Sequence, residues 1–180
     1  MLVENVYDLQ NMDAKLSGNY MLSGNIDASE TSSWSDAGTT NGAGFSPVGN
    51  DTNKFTGAFD GANHTINGLY INRPTTNYVG LFGNSTGTIQ KVGLVGGSIT
   101  GESSVGGVVG QNSSSGKITN AYNTGAVSGT NDVGGVVGRN YGGTITNAYN
   151  TGAVSGTGDY VGGVAGDNSG TITNAYNTGV

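Results

Sequence analysis

The stretch VGGVVGQNSSSGKITNAYNTGAVSGTND, Val105 to Asp132, runs directly into VGGVVGRNYGGTITNAYNTGAVSGTGDY, Val133 to Tyr160, and a third copy opens at Val161 and reaches Val180. Self-similarity at a fixed period of 28 residues marks a stacked array, because one such unit cannot bury its apolar face without a neighbour. Each copy is too rich in Gly, Asn, Thr and Ser for a pair of helices. Its apolar residues come in short clusters instead: Val108, Ile118 and Val127 in one copy, Val136, Ile145 and Val154 in the next. Three short strands separated by turns are the natural reading. At a rise of about 3.3 Å per residue, they use up one rung of a parallel β-helix.

Length differences between copies fall where a turn would bulge. QNSSSGKIT, RNYGGTIT and DNSGTIT shorten progressively, and GTNDV becomes GTGDYV. Solenoid loops tolerate such changes, whereas the inward ladder does not. Aligning Ile66, Ile89, Ile118, Ile145 and Ile172 extends the array upstream as a single inward isoleucine column.

Composition agrees. The 180 residues carry 35 glycines, six basic and twelve acidic side chains, a net charge of −6 and 34% hydrophobic residues. Such a chain is neither a nucleic-acid-binding protein nor a charged disordered tail. The modest hydrophobic content suits a narrow solenoid core. There is no cysteine, so disulfides and thiolate metal sites are excluded. No stretch reads as a transmembrane helix or a signal peptide, and any export signal is expected upstream.

The first residues differ from the rest. Leu2, Val6, Leu9, Met12 and Leu16 share one face at helical spacing, which predicts an amphipathic cap over residues 2–16 lying across the first coil. Gly18 to Asp27 reads as an opening strand turning at Asn25 and Asp27. A polar excursion from Ala28 to Gly44 then holds the only tryptophan, Trp34, expected to plug the solenoid end, with a binding role as the other reading. Three regions result: 1–54, cap and first coil; 55–104, divergent coils; 105–180, near-identical coils, all within one continuous solenoid. The expected fold is all-β, a right-handed parallel β-helix of about six coils, roughly 30 Å long at one sheet spacing per coil.

The opening VYDLQNMDAKLSGNYMLSGNIDAS, the block GFSPVGN with FTGAFDGANHTINGLYINRP, and the repeats YVGLFG, VGGVVG and TITNAYNTGAVSG resemble GLUG-motif proteins over essentially the whole chain. These are bacterial surface and secreted proteins, filamentous-haemagglutinin-like exoproteins among them, and the module also accompanies adhesins and IgA-cleaving metalloproteases. The resemblance implies a right-handed β-helix on an exported protein and supplies no catalytic residues.

Tests for chemistry come back weak. A zincin motif needs two histidines one helical turn apart, and His64 is the only one, in a turn beside the inward Ile66. β-Helical glycosidases and lyases cluster carboxylates on one outer face. The acids outside the N-terminal region include Asp60, Glu102, Asp132, Asp159 and Asp167. Of these, Asp132 and Asp159 occupy matching turns, where stacking would bring them about 5 Å apart, a spacing able to hold calcium. They lack the glycine-and-aspartate nonapeptide pattern of calcium β-rolls, which favours solvated turn caps. Glycine strings such as GAVSGTG lack the Gly-Lys-Ser/Thr of a phosphate loop. No cofactor is expected and no enzymatic activity.

Columns stand out instead. Thr119, Thr146 and Thr173 follow the core isoleucines; Asn120, Asn147 and Asn174 come next; then Tyr122, Tyr149 and Tyr176; then Asn123, Asn150 and Asn177. Asn columns can run amide ladders satisfying turn backbones. The tyrosines, which Tyr70 extends and Gly93 interrupts, pack on one another or offer a stripe to sugars or a protein. Pairs such as Thr144 and Thr146 resemble the T-x-T arrays of ice-binding solenoids, broken here by Lys117, Gln90 and Asn67. Tyr122, Tyr149, Tyr176, Thr119, Thr146 and Thr173 are therefore the candidate binding face. The expected role is a non-catalytic stalk or adhesive segment at the bacterial cell surface or outside the cell, with a carbohydrate-binding or carbohydrate-active β-helix as the alternative and ice binding as a minor one. Expected partners are a host glycan or surface protein, further coils of a longer parent chain, or a second copy end to end, with no nucleic acid and no membrane insertion.

Overall fold

In the later coils the chain turns four corners per circuit, and each straight run pairs in parallel with its counterpart one coil on. The computed structural model describes residues 1–35 and 42–180; part of the excursion expected between Ala28 and Gly44 lies outside them. Four parallel sheets line the solenoid. The long sheet stacks Leu2–Val3, Asn19–Leu22, Ala58–Asp60, Thr88–Val95, Lys117–Asn123, Thr144–Asn150 and Thr171–Asn177. The second stacks Tyr70–Asn72, Ser98–Thr100, Ala126–Gly129 and Val154–Gly156. The third stacks Ser103–Gly106, Asn131–Gly134 and Val161–Gly162, and the fourth Phe82–Ser85, Val109–Ser113, Val137–Tyr141 and Ala165–Asn168.

A coil thus has four strands where the sequence suggested three. The strand missed is short and glycine-flanked, with a single inward valine: Val105 and Val133 pair in register, as do Val133 and Val161. Complete turns number about four rather than six, because the rungs before Ala58 belong to the N-terminal cap region and Thr171–Asn177 only begins another circuit.

The inward columns follow from register. Ile89, Ile118, Ile145 and Ile172 are successive partners. Ile66 is not in that column: Phe59 precedes Ile89, whereas Ile66 lies between Ile26 and Leu94. An aromatic side chain fills the position that aliphatic identity had assigned to Ile66. Valines from the other three sheets and from the bends between them complete the core, with Val108, Val109, Val127, Val133, Val136 and Val137 all buried. Upstream, the tube is filled by Phe45, Phe55, Phe59 and Phe82. The Phe55 and Phe82 rings lie 4.8 Å apart, and Phe59 meets Phe82 edge-on at 5.3 Å.

Two columns inside the tube are polar. In the long sheet the apolar series Ile26, Ile66, Leu94 gives way to Asn123, Asn150 and Asn177. The Asn123 amide donates to Asn150 Oδ1 at 3.0 Å, and Asn150 donates to Asn177 Oδ1 at 2.8 Å. Each amide also spans its own turn: Asn150 donates to the Gly152 carbonyl at 2.7 Å and accepts from the Gly152 N–H at 3.2 Å. All four hydrogen-bonding positions of Asn150 are filled, so its burial carries no desolvation debt. The second glycine of VGGVVG makes room: a Cβ on Gly135 would overlap the Asn150 amide.

Asn112, Asn140 and Asn168 form a second ladder in the fourth sheet, with steps of 2.8 and 2.7 Å. These amides reach the carbonyls of Gly116, Gly143 and Gly170, four, three and two residues on. One side chain therefore closes turns of three lengths, which is how the copies absorb their insertions. The ladder stops at Asn112, whose Oδ1 has no hydrogen-bond partner among the described residues. The residue before it in register is Ser85, and that hydroxyl turns to the Phe55 carbonyl.

At the N-terminus the helix is shorter than predicted. Leu2–Val3 is a strand paired with Met21–Leu22, and Leu2 is exposed while Val3 is buried. The α-helix is Val6–Asn11, capped by the Asn5 side chain, which accepts from the N–H groups of Tyr7 and Asp8. A 3₁₀ turn, Met12–Lys15, continues it. Val6, Leu9 and Met12 are buried in the common core, and Gln10 exchanges two hydrogen bonds with the Ser46 backbone. Trp34 packs against this end, its ring 5.4 Å from Tyr7 and 6.4 Å from Phe45. Among the described residues no helix is long and apolar enough to cross a membrane.

Ile145→Ala is expected to cost about 2–5 kcal/mol in chemical denaturation, through lost burial and an unfilled site; a loss under about 1 kcal/mol would mean the column does not carry the core. Asn150→Ala strands the Gly152 N–H and carbonyl and two neighbouring amides, at about 1–3 kcal/mol for each group left dry. Asn147→Gly, on the exposed ladder, should cost under about 1 kcal/mol. Equal losses for the two asparagine variants would show that the buried ladder does not hold the coils together.

Candidate functional site

Each long strand is bent by one residue in the left-handed region. Asn120, Asn147 and Asn174 have φ of 53°, 53° and 52°, and Lys91 occupies the same corner one coil earlier. Asparagine tolerates this conformation better than most side chains. The bend divides the strand's outer surface into two flanks.

On one flank stand the tyrosines. Tyr122 and Tyr149 stack with centroids 4.8 Å apart and planes 2° from parallel; Tyr149 and Tyr176 stack at 5.1 Å and 5°. The series ends at Gly93, whose Cβ would collide with the Tyr122 ring. The glycine that breaks the sequence pattern is the bed on which the stack rests. Tyr70 does not extend it: Tyr70 pairs with Ser98 in the second sheet, and the residue before Gly93 in register is Thr65. Burial between its neighbours raises the Tyr149 phenol above its ordinary pKa, with the adjoining Tyr122 and Tyr176 phenols adding to the shift.

Along the corner, Asn147 donates to Asn120 Oδ1 at 2.9 Å and Asn174 to Asn147 Oδ1 at 3.2 Å. This exposed ladder runs opposite in sense to the buried ones. Between it and the ring stack lies an open groove of about 600 Å³. The groove runs parallel to the solenoid axis and no charged side chain lines it.

Thr119, Thr146 and Thr173 stack in register, but they lie across the corner and do not line the groove. The predicted binding face is therefore two separate strips. Complete T-x-T pairs occur on two rungs only, Thr144 with Thr146 and Thr171 with Thr173. Lys117 and Gln90 stand in their columns one and two coils back. Asn67 is not part of this series, since it pairs with Val95; Asp60 holds the position before Gln90.

The carboxylates are dispersed. Asp132 and Asp159 do not match: Val133 pairs with Val161, which sets Asp132 beside Tyr160 and Asp159 beside Asn131. The extra residue in GTGDYV causes the offset. Asp132 Oδ2 accepts from the hydroxyls of Ser103 and Ser104, both at 3.4 Å. Asp60 accepts from Gln90 at 2.9 Å with Lys91 at 3.9 Å, and Asp167 pairs with Arg139 at 2.9 Å. His64 sits half-buried in its turn, its backbone N–H bonded to the Gly61 carbonyl. Among the described residues no three His, Cys, Asp or Glu side chains converge on a possible metal position.

Comparison with known proteins places these features. Residues 101–128 and 129–155 each match the GLUG motif. Over 133 residues, 68% of the chain, it is 39% identical to Halomucin of Haloquadratum walsbyi, and over 76 residues, 39% of the chain, 38% identical to a provisionally named Gly-rich membrane protein of Evansella cellulosilytica. The matches span 1% and 9% of those relatives. A crystal structure of a provisionally named immunoglobulin A1 protease from Bacteroides ovatus superposes with a TM-score of 0.80 at 24% identity, covering 99% of this chain and 57% of that one; the likeness shows the fold. Residues 101–155 thus carry two tandem GLUG motifs, which hold the glycines of both VGGVVG stretches and the turn-closing Asn112, Asn123, Asn140 and Asn150.

Proposed function

We propose that the chain is a non-catalytic segment of a cell-surface or extracellular protein, a stiff stalk whose outer groove serves as an adhesive surface. The observation that carries this reading is the pair of buried asparagine ladders. An amide that binds its own turn and the next coil's amide makes every level of the tube alike and couples it to its neighbour. That suits a spacer of constant cross-section. The names of the relatives, Halomucin and a Gly-rich membrane protein, favour a surface location. The separate pairing of Asp60, Asp132 and Asp167 favours a non-catalytic role. The neutral groove between the tyrosine and asparagine columns supports carbohydrate binding as the particular form of adhesion.

The test is a glycan and host-matrix array probed with the 180-residue chain and with the Tyr122→Ala/Tyr149→Ala/Tyr176→Ala triple variant, while the same panel is scanned for released sugar or cleaved peptide. Binding lost in the variant, with no product, is the expected outcome. Product release abolished by Asp132→Asn or Asp159→Asn would overturn the non-catalytic reading. Binding untouched by the triple change would move the adhesive surface off the groove, and silence from both proteins would leave the stalk alone.

A further inference from the structure

The stacked tyrosines restrict what can bind beside them. A sugar usually packs its C–H face on an open aromatic face, but Tyr149 is covered on both sides by rings 4.8 and 5.1 Å away. What remains along the groove is ring edges and phenol hydroxyls. The hydroxyls of Tyr122, Tyr149 and Tyr176 make no hydrogen bond to another described residue. The facing asparagines keep donors too: Asn147 gives one N–H to Asn120 and accepts from Asn174, which leaves its second N–H for a ligand. Between the two rows runs the strand itself, whose Ala148 is buried in the core. The groove therefore lies between two rows of uncharged hydrogen-bonding groups, one of them carried on aromatic ring edges.

Those rows repeat once per coil. An extended peptide advances about 3.3 Å per residue and presents the same side only every second residue, so it falls out of step within one coil. A polyanion meets a groove without a cation, on a chain of net charge −6. An extended β-1,4-linked glycan advances one pyranose over nearly the distance between successive tyrosines. Successive rings are turned over by about half a turn, but each carries equatorial hydroxyls on both edges, so both walls meet a hydroxyl-bearing edge at every rung. We propose that the groove takes a neutral, extended β-1,4-linked glycan laid along the solenoid axis, one sugar per coil. The inference rests on the adhesive reading above and adds the ligand class and its orientation.

Titration with β-1,4-linked glucose and N-acetylglucosamine oligomers of increasing length, followed by calorimetry, tests it, with α-1,4-linked glucose oligomers as the control. Affinity should rise roughly three- to tenfold from two sugars to three and then level off, since three rungs line the groove. Asn147→Gly keeps the positive φ and removes one wall amide, so binding should weaken several-fold while the melting temperature falls by no more than about 4 °C; Tyr149→Phe, which removes only a hydroxyl, should weaken it less than Tyr149→Ala. Length-independent affinity, or equal binding of the helical α-1,4 oligomers, would overturn the register argument. If the array finds another ligand class that needs the tyrosines while these oligomers do not bind, the glycan assignment falls and the adhesive reading stands; if the array is silent as well, both fall.

Discussion

The amide of Asn150 binds four groups at once: the same amide one coil below, the same amide one coil above, and both backbone polar groups of its own turn at Gly152. The design of the later coils depends on this bond set. A buried turn must find partners for its N–H and carbonyl groups. An inward asparagine supplies them and hands the leftover donor to the next coil. The glycine at 135 follows, because any Cβ there would occupy the amide's space. So does the small core, in which Ala148 and the valines fill what the amide leaves.

The first coils solve the same problem differently. Where Asn123 stands in the repeats, they carry Ile26, Ile66 and Leu94, and the tube is wide enough there for four phenylalanines. Turns in this region are held by residues at their own positions: Asp27 and Asp60 accept from the N–H groups of Ser29 and Ala62, two residues on. An apolar column gains from burial but carries no directional link between levels. The change from leucine at 94 to asparagine at 123 therefore marks a change in what holds successive coils together, from packing to packing plus a hydrogen-bonded line.

Much of this was legible in the sequence. The isoleucines at 118, 145 and 172, the tyrosine column and the Asn123 series recur every 27 residues, so their register could be read directly, with Ile89 standing 29 residues before Ile118. Ile66 could not, because Phe59 fills its supposed place and residues 61–64 widen the bend that Lys91 makes in the next coil. The second ladder was hidden by its variable reach: Asn112, Asn140 and Asn168 lie four, three and two residues before the glycine they bind. An asparagine followed at short range by glycine, in every copy, was the available signal. The third-sheet strands, with one inward valine between glycines, have too little alternation to be seen at all. Side-chain strips were legible as columns but not as faces, since only the left-handed bend at Asn147 shows that the threonines and tyrosines point to different sides.

That bend carries the last step of the argument. Because the asparagine ladders bind the turns from inside, the outer columns are free of that duty, except where they stack on themselves. They still inherit the spacing of the backbone. A group placed on the outer surface of one repeat reappears about 5 Å away in the next, in the same orientation, as the tyrosines do. A compact partner can engage only one such rung and gains nothing from the others; a periodic partner engages all of them, and each additional contact comes with the ordering cost of the first already met. Repetition that begins as a way to bury asparagine thus selects, on the outside, for ligands that are themselves linear and repetitive.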